Sequence, residues 1–198
     1  MNFRKIAILI ILFSNVFSYG QQYWSKGELY LKNGTILKGF VKLPIVSKSD
    51  AVSLIKKGKI KFKLGHKKKV NRYSEPQLEK IILISPDEIR KSFNFILISK
   101  KEKALFEVIL KGEVSLYRRN VRYASKMSGG GYFDEFFVLK KRKKIAIPLI
   151  TVGRVGAFRK RALNFFSDCS HVVDKLLNNT YKKEDVKDVV KRYNECNN

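Results

Sequence analysis

The spacing of apolar residues changes once along this chain, and the change divides it. Up to about residue 154 apolar residues come in short runs, several of them alternating with polar ones, with turn-forming residues between. After Val155 they recur at steps of three and four. The first pattern suits strands and the second suits helices. Strands followed by helices, rather than alternating with them, define an α+β fold. The expected architecture is an antiparallel sheet or open barrel over residues 21–154, followed by a small helical region over 155–198.

The first strand pair is the clearest. Glu28 to Lys32 and Thr35 to Lys42 flank Asn33-Gly34. Asn-Gly between two β-prone runs predicts a tight hairpin with both turn residues at positive φ. Pro44 ends the second strand. Lys59 to Leu64 alternates strictly, which predicts Ile60, Phe62 and Leu64 facing the core and three lysines facing water. Runs at Leu78 to Ile84, Phe93 to Ser99, Ala104 to Leu110 and Gly112 to Tyr117 continue the sheet. Phe133 to Leu139 and Lys144 to Val152 form a further pair, and Gly129 to Gly131 is a turn.

In the tail, Phe158, Ala162, Leu163, Phe165 and Phe166 mark one amphipathic helix. Val172, Val173, Leu176 and Leu177 mark a second. Val186, Val189, Val190 and Tyr193 fall at i, i+3, i+4 and i+7 and mark a third, with Thr180 as a nearby cap.

Met1 to Gly20 has the order of a secretory signal peptide. Arg4 and Lys5 precede an uncharged stretch from Ile6 to Phe17, and Ser18 and Gly20 are small residues ahead of a cut before Gln21. The apolar stretch is shorter than the ~20 residues a membrane-spanning helix needs. The expected location is therefore periplasmic, extracellular or on the cell surface. In that setting the only two cysteines, Cys169 and Cys196, predict a disulfide that clamps the helical tail. Two cysteines without paired histidines do not complete a zinc site, so no metal is expected, and no cofactor.

The formal net charge is +25, and removing Arg4 and Lys5 with the leader leaves +23. Such a charge favours anionic partners. Two segments concentrate it. Nine Lys or Arg and no acid lie between Lys56 and Arg72, and nine and no acid between Phe136 and Ser167. Lys59, Lys61, Lys63, Lys67, Lys68 and Lys69 in the first, with Lys140, Lys141, Arg142, Lys143 and Lys144 in the second, are the candidate rim for an anionic lipid or polysaccharide of the cell envelope. An alternative is a purely solubilising surface. Nucleic acid fits less well. An exported chain meets little of it, and lysine in place of arginine disfavours bidentate readout, although Phe62, Tyr73, Tyr123 and Tyr132 lie close enough in sequence to stack bases.

Catalytic patterns are sparse. There is no G-x-S-x-G elbow. His66 lies in a lysine-rich loop, and His171 lies beside Cys169, where a disulfide removes the thiol that a Cys–His pair would need. Ser128 to Gly131 lacks the Lys-Ser/Thr of a phosphate loop. Asp87-Glu88 and Asp134-Glu135 are adjacent carboxylates whose side chains point apart on a strand, so neither is a ready acid/base pair.

Four short stretches carry a resemblance. They are Gly-x-Leu-x-Leu-x-Asn-Gly-Thr-x-x-x-Gly-x-Val (Gly27 to Val41), Gly-x-Val-x-Leu-Tyr (Gly112 to Tyr117), Phe-x-x-Asp-Cys (Phe165 to Cys169) and Val-x-x-Tyr-Asn-x-Cys (Val190 to Cys196), following the leader. In this order the chain resembles a group of uncharacterised exported proteins of Bacteroidota bacteria. The resemblance implies an envelope location and brings no activity and no catalytic residue. The reading is of an exported, non-catalytic module that binds an anionic envelope component. An exported hydrolase, or a structural subunit that completes another protein's sheet, are the alternatives.

Overall fold

The computed structural model describes residues 24–47, 59–123 and 130–196. The expected leader lies outside these, as do Lys56, Lys57, Ser128 and Gly129. Eleven strands among the described residues form one sheet. They are β1 Ser25–Leu31, β2 Ile36–Lys42, β3 Val46–Ser47, β4 Ile60–Lys63, β5 Asn71–Tyr73, β6 Leu78–Ile84, β7 Arg90–Ser99, β8 Glu102–Leu110, β9 Val114–Tyr123, β10 Gly131–Lys140 and β11 Ile147–Ile150. Their order is β11-β10-β9-β8-β7-β6-β1-β2-β4-β5, with every pairing on this path antiparallel.

The registers make this sheet coil. The first half of β7, from Arg90 to Phe93, pairs with β6, and the rest pairs with β8. Likewise β8 gives its first half to β7 and only Glu107 to Leu110 to β9. A stagger of this kind tilts strands across one another and curls the sheet toward a barrel. Gly27 and Gly39 sit directly opposite in β1 and β2. A side chain at Gly27 would strike the Ile82 carbonyl, and one at Gly39 the Lys63 carbonyl, so the bend here needs both glycines. Beyond β2, Pro44 turns the chain so that β3 pairs in parallel with the far end of β9, Val46 opposite Val121. This short strand partly closes the barrel.

The tail folds as α1 Phe158–Phe165, α2 Ser170–Leu177 and α3 Val186–Cys196. Its apolar residues pack on Val114, Leu116, Val138, Leu149 and Ile150 of β9, β10 and β11. On β9 the next residue along, Tyr117, joins Phe106 and Phe137 on the other face of the sheet. A third apolar group, built on Leu29, Val41, Ile60, Phe62, Leu78 and Ile81, fills the β1–β2–β4–β6 end. Cys169 and Cys196 form the expected disulfide, with Cα atoms 6.2 Å apart, joining the start of α2 to the end of α3.

Three local readings change. The Asn-Gly loop is a three-residue turn in which Gly34 has φ 85° and Asn33 does not reach positive φ. Asn33 Oδ1 accepts from the Thr35 N–H at 3.1 Å, which holds Asn33 in the ordinary turn conformation and leaves the left-handed position to glycine. In β4 the alternation fails at its end, with Lys63 buried and Leu64 68% exposed. Thr180 does not cap α3. Its hydroxyl donates to Asn178, and Asp185 accepts from the Lys182 N–H at the start of the turn that leads into the helix.

Candidate functional site

The two basic clusters lie on hairpins at opposite ends of the strand order. Lys59 and Lys61 are exposed on and beside β4, and Lys67, Lys68 and Lys69 are exposed in the β4–β5 turn. Lys63 differs from them. Its ammonium lies 4.5 Å from the Trp24 ring centre and donates to the His66 carbonyl at 3.2 Å, so it turns inward as part of the wall. His66 packs on Phe40 with ring centres 4.4 Å apart.

The second cluster occupies the turn between β10 and β11. Lys140 is committed to structure: its Nζ donates to Asp168 Oδ2 at 2.9 Å and lies over the Phe165 and Tyr193 rings. Its pKa is raised, chiefly by the hydrogen bond with Tyr193 and then by Asp168, against the opposing effect of burial. Lys141, Arg142, Lys143 and Lys144 are exposed. Lys143 and Lys144 face Arg161 of α1 across an open groove of about 680 Å³. Ile145, Ile147 and Phe165 give this groove an apolar floor, and no carboxylate lines it. Ile145 is 37% and Ile147 46% exposed, although Leu149 and Ile150 further along β11 are buried. Sequence reasoning placed Ile147 and Phe165 in core-facing runs and did not single out Arg161. The charge of Arg161 was legible, but that α1 would set it opposite the β10–β11 turn was not.

Several charged residues elsewhere are paired. Arg118 donates through Nε and Nη2 to Glu107 and meets Asp134 at 3.4 Å, and Asn120 also donates to Asp134. Burial opposes the Arg118 charge, but Glu107 and Asp134 more than offset it and raise its pKa, so this group is held protonated rather than prepared to exchange a proton. On the other face Arg119 binds Glu135 at 2.8 Å. The adjacent Asp134 and Glu135 therefore serve opposite faces of β10, as their spacing predicts. Asp87 and Glu88 stand in the β6–β7 turn, where Ser85 donates to Asp87. His171 is exposed and accepts from Arg192 at 3.3 Å. Cys169 is in the disulfide, so no Cys–His pair exists. Phe62 is buried against Tyr73 and cannot stack a base. Among the described residues no group of three or more His, Cys, Asp or Glu could hold a metal, and no helix is long and apolar enough to cross a membrane.

The fold defines the chain as an α+β protein, a partly closed antiparallel barrel with a disulfide-clamped helical tail. Comparison with family models, curated proteins and solved structures yields no match.

Proposed function

We propose that this is an exported, non-catalytic module that docks on a phosphate-bearing lipid surface of the cell envelope. The observation that carries the reading is the groove in which Lys143, Lys144 and Arg161 surround the exposed Ile145 and Ile147. Cations beside exposed apolar side chains match a lipid interface better than a polysaccharide, because the lysines meet phosphates while the isoleucines enter the acyl boundary. The Cys169–Cys196 disulfide is compatible with an oxidising compartment outside the cytoplasm.

Co-sedimentation with vesicles tests this. The protein should pellet with phosphatidylglycerol vesicles and not with phosphatidylcholine vesicles, and should be released as salt rises. Each lysine near an anionic surface contributes about 1 kcal/mol, so K143Q/K144Q should weaken binding roughly thirtyfold. Salt-independent pelleting, or a variant that binds like the wild type, would remove the basis of the proposal.

A further inference from the structure

We infer that a separate cavity, where β8 and β9 part, binds a single-chain amphiphile with an anionic head group. The β8–β9 ladder ends at Glu107 opposite Arg118, and β3 takes up the same side of β9 only at Val121. Arg119 and Asn120 lie between the two ladders. The space beside them is a cavity of about 340 Å³, within the roughly 300–1,000 Å³ of small-molecule sites.

Its lining is divided by chemistry. Val41, Leu43, Val46, Phe93 and Leu105 form an apolar wall, drawn from β2, the β2–β3 turn, β3 and the β7–β8 pair. Glu107, Arg118 and Asn120 form a polar end, and Lys91 stands exposed on β7. Arg118 and Lys91 thus face Glu107 in the lining, while the Arg119 guanidinium lies on the other face of the sheet, over the Phe106 and Phe137 rings. Asp134 meets Arg118 from outside the lining and neutralises part of that charge. Arg118 retains capacity, because its Nη1 makes only a 3.4 Å contact with Asp134 while Glu107 occupies Nε and Nη2. A carboxylate or phosphate oxygen at that position would take a charge-assisted hydrogen bond from Nη1 and the field of Lys91. A cationic head would meet the like charges of Arg118 and Lys91. The apolar wall takes the chain, as in sites that are mostly apolar with a few converging polar groups. This cavity is distinct from the β10–β11 groove and shares no lining residue with it.

Calorimetric titration of the protein with decanoate, decanol and decyltrimethylammonium, each below its micelle concentration, tests the assignment. Decanoate should bind at least tenfold more tightly than decyltrimethylammonium, with decanol between. L105W fills the wall and should abolish decanoate binding. K91E, at an exposed position, should weaken decanoate several-fold and leave decanol unchanged, and it carries the test if L105W does not fold. K143Q/K144Q should bind decanoate normally, whatever it does to vesicle binding. Equal affinity for the three probes, an unaltered K91E, or loss of decanoate binding in K143Q/K144Q would each overturn the inference.

Discussion

Asn194 of α3 takes both backbone groups of Val114: its Oδ1 accepts from the Val114 N–H at 2.7 Å and its Nδ2 donates to the Val114 carbonyl at 2.9 Å. The carboxamide stands where a neighbouring strand would otherwise supply hydrogen bonds to the start of β9. Gly112 makes room for it, since a Cβ there would collide with the Asn194 side chain. N194A should therefore leave two partly buried backbone groups unpaired and destabilise by about 2 kcal/mol. G112A should displace the same carboxamide at similar cost. Because both remove one interaction, the double variant should cost clearly less than their sum, which denaturant unfolding of the three variants would show.

This relationship also explains which parts of the sequence reading held. The Gly112 to Tyr117, Phe165 to Cys169 and Val190 to Cys196 stretches meet in one place, where Asn194 reaches Val114, Tyr193 reaches Asp168, and the two cysteines join. The helices were legible because Val186, Val189, Val190 and Tyr193 form one buried face. Strand β3 was not, since two residues carry no period and their pairing with β9 joins positions far apart in sequence. The same limit applies to the site. Positive charge was plain in the lysine runs, but composition could not show that Lys63 turns toward Trp24 or that Lys140 is taken by Asp168. Both depend on residues more than twenty positions away.

The disulfide closes a loop across α2 and α3 with a sequence separation of 27. A cross-link of that length restricts the unfolded chain enough to contribute about 3 kcal/mol. C169A/C196A should lower the unfolding midpoint by roughly 10 °C for a chain of this size. Reductant should lower the wild-type midpoint by a similar amount and leave the variant unchanged. Scanning calorimetry with and without reductant checks both outcomes.

Asp168 ties the tail to β10 through Lys140 at 2.9 Å and Tyr193 at 2.8 Å. Burial alone would raise its pKa, but hydrogen bonds from Lys140 and Tyr193 outweigh this and lower it. Its folded value thus lies below the unfolded value of about 3.9. The stabilisation is present above that value and is lost as pH falls through the folded one. Lys140 and Tyr193 are both raised, Lys140 mainly by its hydrogen bond with Tyr193, and Tyr193 mainly by burial. Their contributions are present below about pH 10 and lost as pH rises through the raised folded values. D168N should lose stability at neutral pH and show a shallower acid limb than the wild type. Urea unfolding as a function of pH would reveal a parallel, merely shifted curve if Asp168 had no such role.

Glu135 and Arg119 form the most enclosed ion pair among the described residues, with side chains 8% and 10% exposed. The guanidinium lies 5.2 Å from the Phe106 ring centre and 5.3 Å from that of Phe137, while the second Glu135 oxygen accepts from the Val152 N–H at 3.0 Å. The pair therefore links β9 to β10 and to the chain leaving β11. Removing one partner strands a charge in an apolar setting, so R119M should cost about 3–5 kcal/mol. E135Q keeps the acceptor for Val152 and leaves Arg119 its aromatic neighbours, so it should cost less. In R119M/E135Q the stranded carboxylate is gone, and the double variant should be more stable than R119M alone. A double variant less stable than R119M would mean that the ion pair contributes little and that Arg119 acts mainly by packing between the two phenylalanines.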